Sequence, residues 1–556
     1  MIRADREDQN PLTGVQNPSN VVAYNHRSSP VGKMITAKRF VRLLFLWSAA
    51  ATKMRFCAAA AATSSPADAA VVMAVGTKEK KNPSVLYRRL SALGRAPQGR
   101  VTRTLDKWVN EGRSVCADEL IRYVKVLRRY QRHAHALELM EWMENNKNTK
   151  MTHVSHAMRL GLIAKVRGIE AAEKYFSDLP EPLKNEHTFG ALLSSYCSEK
   201  NKNVDKSFSL YNEMKNRNIA LNTQVHFNLM SLYMRLGQHE KVLTQYQEMK
   251  SDNIVPDSIT CSILMNCYAS LNDIESVERV IKEAEEDDKV TLLWSAYSSL
   301  AAIYCSAGLP TKAENALKKL ETLIYARDHK PYHYLISLYA KINNVEEVKR
   351  IWKSLKTIFP KPSNLSYLNM LQALDKLDDL SGQQDLYEEW QSVCTLFDVR
   401  LANSLIGSYL RKDMIQQAQS LWEKSSKRGA IPNFKTCFMF LDHFLQKNDM
   451  NSALVWLETA ASSSSGKQDR WKLSQDQVDT FLKAFEDAND VEGAERFCEC
   501  LRRLGHLDLN AYEKLLQTYL AANLKNPKLR QRIKDDKIKL NSQTNKLLEM
   551  VCGDNE

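Results

Sequence analysis

The chain has 556 residues, 44% of them hydrophobic, and a formal net charge of +13. Its length exceeds one ordinary hydrophobic core, and its Gly and Pro content is low (18 and 15), which suits helices. Residues 1–116 hold 19 Lys/Arg against 7 Asp/Glu, and residues 117–556 hold 59 against 58, so the long C-terminal part is no bulk attractor of polyanions.

From Asn10 to Ala67 there is no acidic residue, while Arg27, Lys33, Lys38, Arg39, Arg42, Lys53 and Arg55 are basic and Ser and Ala abound. This is the composition of an organellar transit peptide, expected over residues 1–75. Near residues 34–48, Lys38, Arg39 and Arg42 fall on one helical arc and Phe40, Val41, Leu43, Leu44 and Trp47 on the other. That amphipathic arrangement favours the mitochondrion, with the chloroplast as the alternative. Asp5, Glu7 and Asp8 are out of place in a presequence, and a true start at Met34 or Met54 would account for them. A plain basic tail is the competing reading. Arg42 interrupts the apolar run, which is also too short to span a bilayer. A basic approach segment follows at 76–116.

An aromatic landmark then returns about every 35 residues: Tyr196, Tyr233, Tyr268, Tyr304, Tyr339, Leu374 as the exception, Tyr409, Phe444, Phe485 and Tyr519. A fixed period of this size marks stacked repeats. Three and four residues before the landmark lies an apolar pair, such as Leu192–Leu193, Leu335–Ile336 or Leu405–Ile406, which makes one apolar helical face. This is helix A of each unit. Four residues after the landmark stand Gly237, Asn272, Gly308, Asn343, Asp378, Asp413, Asn448, Asn489 and Asn523. These types end a helix and open a turn. Helix B follows, with a small or β-branched residue nine past the landmark (Val242, Val277, Ala313, Val348, Ala418, Ala453, Ala494). The recurring breaks exclude a long coiled coil. The Ser-rich run Ala461–Lys467 reads as a loop inserted within a unit. The repeat array is expected over 117–545 and a tail over 546–556.

No Cys-x-x-Cys, ligand-spaced histidine, phosphate loop or nucleophile elbow occurs, so no metal, cofactor, small-molecule substrate or enzyme activity is expected. The eleven cysteines read as buried free thiols of a reducing compartment. The clearest basic cluster lies between Lys525 and Lys539 and includes Lys528, Arg530 and Arg532; a solvated helix face is its plain alternative.

The segments Tyr211-Asn-Glu-Met-Lys-Asn-Arg-Asn-Ile219 and Tyr246-Gln-Glu-Met-Lys-Ser-Asp-Asn-Ile-Val-Pro-Asp257 resemble the second helix and exit of a pentatricopeptide repeat. Leu105–Gly112, His135–Met143 and Arg159–Phe176 are similar to the leading segment of plant organellar members with plain, full-length repeats. The expected architecture is therefore all-α, a right-handed superhelical α-solenoid of about twelve helix–turn–helix repeats.

The resemblance implies that two side chains per repeat read one RNA base, one on helix A six residues before the landmark, the other just before the next helix A. The pairs are Gly190/Asn222, Phe227/Asp257, Ser262/Leu293, Ser298/Asp328, His333/Ser363, Leu368/Asp398 and Asn403/Asn433. Ser298/Asp328 resembles a purine reader and Asn403/Asn433 a pyrimidine reader. Gly190, Phe227 and Leu368 have no side-chain hydrogen-bonding group, which departs from a long sequence-specific reader. The family's editing members end in a zinc deaminase-like domain, whose motifs are missing here. Two functions follow as expectations. One is a mitochondrial factor binding single-stranded RNA in transcript processing, stability or translation. The other is a scaffold subunit of a larger particle such as the mitochondrial ribosome, facing protein and RNA.

Overall fold

The computed structural model describes residues 85–93, 97, 99–146, 149, 151–198, 204–325, 328–463 and 473–553. The expected transit peptide lies outside them, as do residues 464–467 of the Ser-rich run. All regular structure among the described residues is helical. The chain divides into two compact units, 1–291 and 292–556.

The first unit contains α1 (Val85–Ala92), α2 (Arg100–Asn110), α3 (Ala117–Arg129), α4 (His133–Asn145), α5 (His153–Val166), α6 (Ile169–Ser177), α7 (Glu186–Ser198), α8 (Val204–Asn216), α9 (Thr223–Leu236), α10 (His239–Ser251), α11 (Ser258–Ser270) and α12 (Ile274–Glu286). The second contains α13 (Trp294–Ser306), α14 (Pro310–Thr322), α15 (Lys330–Lys341), α16 (Val345–Ile358), α17 (Asn364–Lys376), α18 (Leu380–Val393), α19 (Val399–Arg411), α20 (Ile415–Lys427), α21 (Phe434–Gln446), α22 (Met450–Ser463), α23 (Gln475–Asp487), α24 (Val491–Leu504), α25 (Leu509–Ala521), α26 (Leu529–Asp535) and α27 (Ser542–Cys552). Odd-numbered helices are A and even-numbered ones B. Within each unit A packs on its own B and on the next A, as α7 on α9 or α15 on α17. These are the stacked helical hairpins of an α-solenoid.

The turn residues explain the period. Asn272, Asn343, Asp378, Asp413, Asn448, Asn489 and Asn523 all have φ between 52° and 60°, and Gly237 and Gly308 have φ 70° and 73°. Each ends helix A in the left-handed region, where Gly, Asn and Asp are least strained. The next residues enter helix B, often with an Asp or Asn cap: Asp273 accepts from the Ser276 amide at 2.9 Å and Asp490 from the Gly493 amide at 2.8 Å.

The landmarks sit in the core: Tyr339 is fully buried, and all the others except half-buried Tyr268 are buried. Three of the tyrosine hydroxyls reach helix B of the preceding hairpin, while that of Tyr339 is buried without a hydrogen-bond partner among the described residues. Tyr196 donates to Glu173 at 2.9 Å, Tyr519 donates to Glu495 at 2.8 Å, and Tyr409 accepts from the Gln384 amide at 2.8 Å. A tyrosine thus fills the hairpin core and ties it to its neighbour, a role Leu374 serves by packing alone. The small residues nine past the landmark are all buried.

The hairpin of α17 and α18 departs from this pattern in its core. Gln383 stands where others carry Val or Ala, and only 1% of it is exposed. Its Nε2 donates to the Leu371 carbonyl at 3.2 Å, while Oε1 has no hydrogen-bond partner. Valine has nearly the same volume and leaves no orphaned acceptor. Gln383→Val is therefore expected to melt no lower than the parent, because it trades one long bond to a backbone carbonyl for the removal of an orphaned buried acceptor at nearly constant volume. Thermal melting by circular dichroism checks this; a clear fall would mean the amide bond outweighs the orphaned oxygen.

Two boundaries read from the sequence need correction. Ala461, Ser462 and Ser463 belong to the last turn of α22 and not to a loop, and Ala461 is buried. The tail expected at 546–556 begins inside α27, whose Leu548 and Val551 are buried. An apolar face three residues apart keeps that helix on the array.

Candidate nucleic-acid interface

The second member of most pairs is the N-cap of the next helix A. The Asn222 side chain accepts from the Val225 amide at 3.2 Å, Asp257 from Thr260 at 2.8 Å, Ser363 from Ser366 at 3.2 Å and Asn433 from Thr436 at 3.0 Å. Asp398 caps Arg400 at 3.1 Å and pairs with its guanidinium at 2.5 Å. The first amides of a helix have no partner within it, so a side-chain oxygen here stabilises the repeat whether or not RNA is present. Asp328 lies one residue before the cap His329 and accepts from the Lys330 amide at 3.1 Å.

The first members are less open than expected for base readers. Ser298 is 4% exposed, and its hydroxyl donates to the Ser295 carbonyl at 3.0 Å in its own helix. His333 is half-buried, with Nε2 2.9 Å from the Ser366 hydroxyl, which lies 3.0 Å from Ser363 Oγ. The pair His333/Ser363 is therefore joined through Ser366. Burial, and to a lesser degree His329, pushes the His333 imidazole down to about 4, so the ring is neutral at neutral pH.

Asn403 and Asn433 do meet. Asn403 Nδ2 donates to Asn433 Oδ1 at 3.1 Å, and the Thr436 hydroxyl lies 2.9 Å from Asn403 Oδ1. Asn403 is only 2% exposed, so it is closed to the solvent contact that a pyrimidine reader requires. The reason is local: α19 and α21 pack side by side, and the cap of α21 folds over Asn403. Asn433 is half-buried, and its Nδ2 group has no partner in this network. It can donate to a base carbonyl; Asn403 can do so only by breaking existing bonds.

The C-terminal basic cluster is divided. Lys528 is exposed at the start of α26 and Arg530 half-buried. Arg532 turns inward to an ion pair with Glu495, which also accepts from Tyr519. α26 buries Leu529 and Ile533, and the Arg532–Glu495 pair ties this helix to α24. It is not a free phosphate ligand.

Sequence reasoning missed a basic row two residues past the landmark: Lys341, Lys376 and Arg411. Lys341 donates to the Ser306 hydroxyl at 2.8 Å, and Arg411 pairs with Asp375. Partial burial, with Lys376 nearby, pulls the Lys341 ammonium below its ordinary value. The 35-residue spacing was the available signal. No group of three or more His, Cys, Asp or Glu able to hold a metal occurs among the described residues, and no described helix is long and apolar enough to cross a membrane.

Residues 187–219, 259–288, 295–323, 331–358 and 401–429 match the PPR repeat, and residues 227–270 match the PPR repeat family. The mitochondrial pentatricopeptide repeat-containing protein At4g01990 of Arabidopsis thaliana is 38% identical over 499 residues, covering 90% of this chain and 98% of that protein. The chain belongs to the pentatricopeptide repeat family. Arabidopsis large ribosomal subunit protein mL101 (rPPR4) is 43% identical over 399 residues, covering 72% of this chain and 81% of its own. A crystal structure of maize PPR10 aligns with 88% of this chain and 80% of its own length, at 15% identity and TM-score 0.36. The matched repeats coincide with hairpins: 295–323 spans α13 and α14, and 331–358 spans α15 and α16. The mitochondrial address read from the N-terminal composition of this pentatricopeptide repeat protein is that of its relatives.

Proposed function

We propose that this pentatricopeptide repeat protein binds single-stranded RNA in mitochondria and holds it, without catalysis, mainly through backbone and shape contacts. The observation that carries this reading is the engagement of the pair residues in capping and interhelix hydrogen bonds. It leaves Asn433 and the basic residues along helices A as the groups with most capacity for RNA. Such contacts suit protecting or remodelling a transcript, in its processing, stability or translation, better than reading a long sequence. A second reading, a ribosomal subunit scaffold, is favoured by the identity to mL101.

Crosslinking the protein in purified mitochondria and sequencing the bound RNA tests both. Narrow footprints on one or a few transcripts support the transcript-binding reading. Footprints spread over ribosomal RNA support the scaffold. Recovery of no RNA above an uncrosslinked control overturns RNA binding altogether.

A further inference from the structure

Helix α3 carries a charge pattern that no later helix A repeats. Arg122, Lys125 and Arg129 stand at i, i+3 and i+7, which puts them on one stripe about 10 Å long. All three are exposed, while Leu120, Tyr123 and Val124 on the opposite side are buried. None forms an ion pair with a described residue. Glu119 is occupied by the Tyr123 hydroxyl, and exposed Asp118, the one acid on the stripe, makes no ion pair with Arg122.

The register is that of the array. Gln131 has φ 60° and is the turn residue of this hairpin, which makes Leu127 the landmark equivalent. The stripe therefore falls five before, two before and two after the landmark. At those positions α7 has Ala191, Ser194 and Ser198, and α13 has Ser299, Ala302 and Ser306. None of the ten helices A with a landmark from Tyr196 to Tyr519 has more than one base there. Since residues 117–556 are nearly neutral as a whole, three unpaired cations on one helix make a local exception to the field of the array.

We propose that this stripe of α3 is an anchor for the phosphodiester backbone of single-stranded RNA at the N-terminal end of the array. This rests on the RNA-binding reading above. Two guanidinium groups flanking an ammonium, all free of acidic partners, suit phosphate oxygens: arginine grips them in a fork and lysine acts as a point charge. The stripe has no amide to read a base edge, and the exposed Tyr130 at its C-terminal end can stack on any base, so it holds RNA without regard to sequence. It fixes which end of the repeat array a strand engages first.

The test uses the full chain and a fluorescent, unstructured 30-nucleotide RNA of random sequence, with anisotropy titrations at several salt concentrations. In R122Q/K125Q/R129Q, loss of three phosphate contacts should make the slope of log affinity against log salt shallower by about 2, at roughly 0.7 per contact for a single strand. R100Q/R103Q/K107Q is the control: it removes three exposed bases of the same spacing from α2, a helix B, and should change the slope by less than half as much. Glutamine keeps helix propensity, and circular dichroism verifies equal folding. An α3 variant that binds like the parent overturns the anchor while leaving RNA binding intact. Equal losses in both variants also overturn it, since the effect would then be one of net charge. A parent that binds no RNA overturns the anchor and the RNA-binding reading together.

Discussion

Leu335→Asp should lower the melting temperature of the protein steeply and unfold more than one hairpin. Leu335 is fully buried on α15, whose other core residues include Ile336 and Tyr339. That helix packs on its partner α16 and on α13 and α17. Burying a carboxylate at this fully buried, apolar position costs several kcal/mol. In a stacked array each hairpin is stabilised by its neighbours, so the loss spreads outward from α15. Circular dichroism melting reads the effect. Leu365→Asp is the matched control, since Leu365 is 53% exposed on α17 and should change the melting temperature by little. Equal melting of the Leu335 variant and the parent, within a degree or two, would mean that the apolar face of helix A has been placed wrongly.

That face was legible in the sequence because three independent signals share one phase. The landmark, the apolar pair before it and the turn residue after it each recur at 35 residues, and each has a separate physical cause: core packing, helix amphipathicity and left-handed backbone. The first hairpins were harder to read. At α3 the landmark is Leu127 and the turn residue Gln131, so both signatures are replaced by residues common anywhere. The insertion near residue 464 shifts the phase, and the last turn of α22 reads as loop because serine is at home both at helix ends and beyond them.

The candidate site was legible in position and not in state. Asn, Asp and Ser are the residue types that cap helices, and they are also types that can bond to bases. Their recurrence before each helix A therefore could not separate the two roles, and the structure shows the capping role filled at Asn222, Asp257, Ser363, Asp398 and Asn433. Arg532 presents the same difficulty. A basic residue in a basic run looks solvated unless its acid partner is known, and Glu495 lies 37 residues away on another helix.

The Asn403–Asn433 contact gives the sharpest separation of structural from functional roles. Asn403→Ala removes the donor to Asn433 and one of the two acceptors of the Thr436 hydroxyl, which keeps Asn433 Oδ1 at 3.1 Å, and losing these buried bonds costs about 1–3 kcal/mol. Asn433→Ala removes the cap of α21, worth about 1 kcal/mol, and strands the Asn403 amide as well. Because both changes break the same bond, the double variant should lose less than the sum of the two single losses, with a coupling of about 0.5 kcal/mol or more. Denaturant titration of the parent, both single variants and the double variant measures this. Strictly additive losses would show that the two amides do not interact in the folded protein. Affinity for RNA, measured at fixed salt on the folded variants, reads the other role. Asn433 retains the free donor, so Asn433→Ala should weaken a base contact about tenfold or more, and only for RNAs that place a particular base there. The same loss on every RNA would assign Asn433 to the fold and leave base reading out of this repeat.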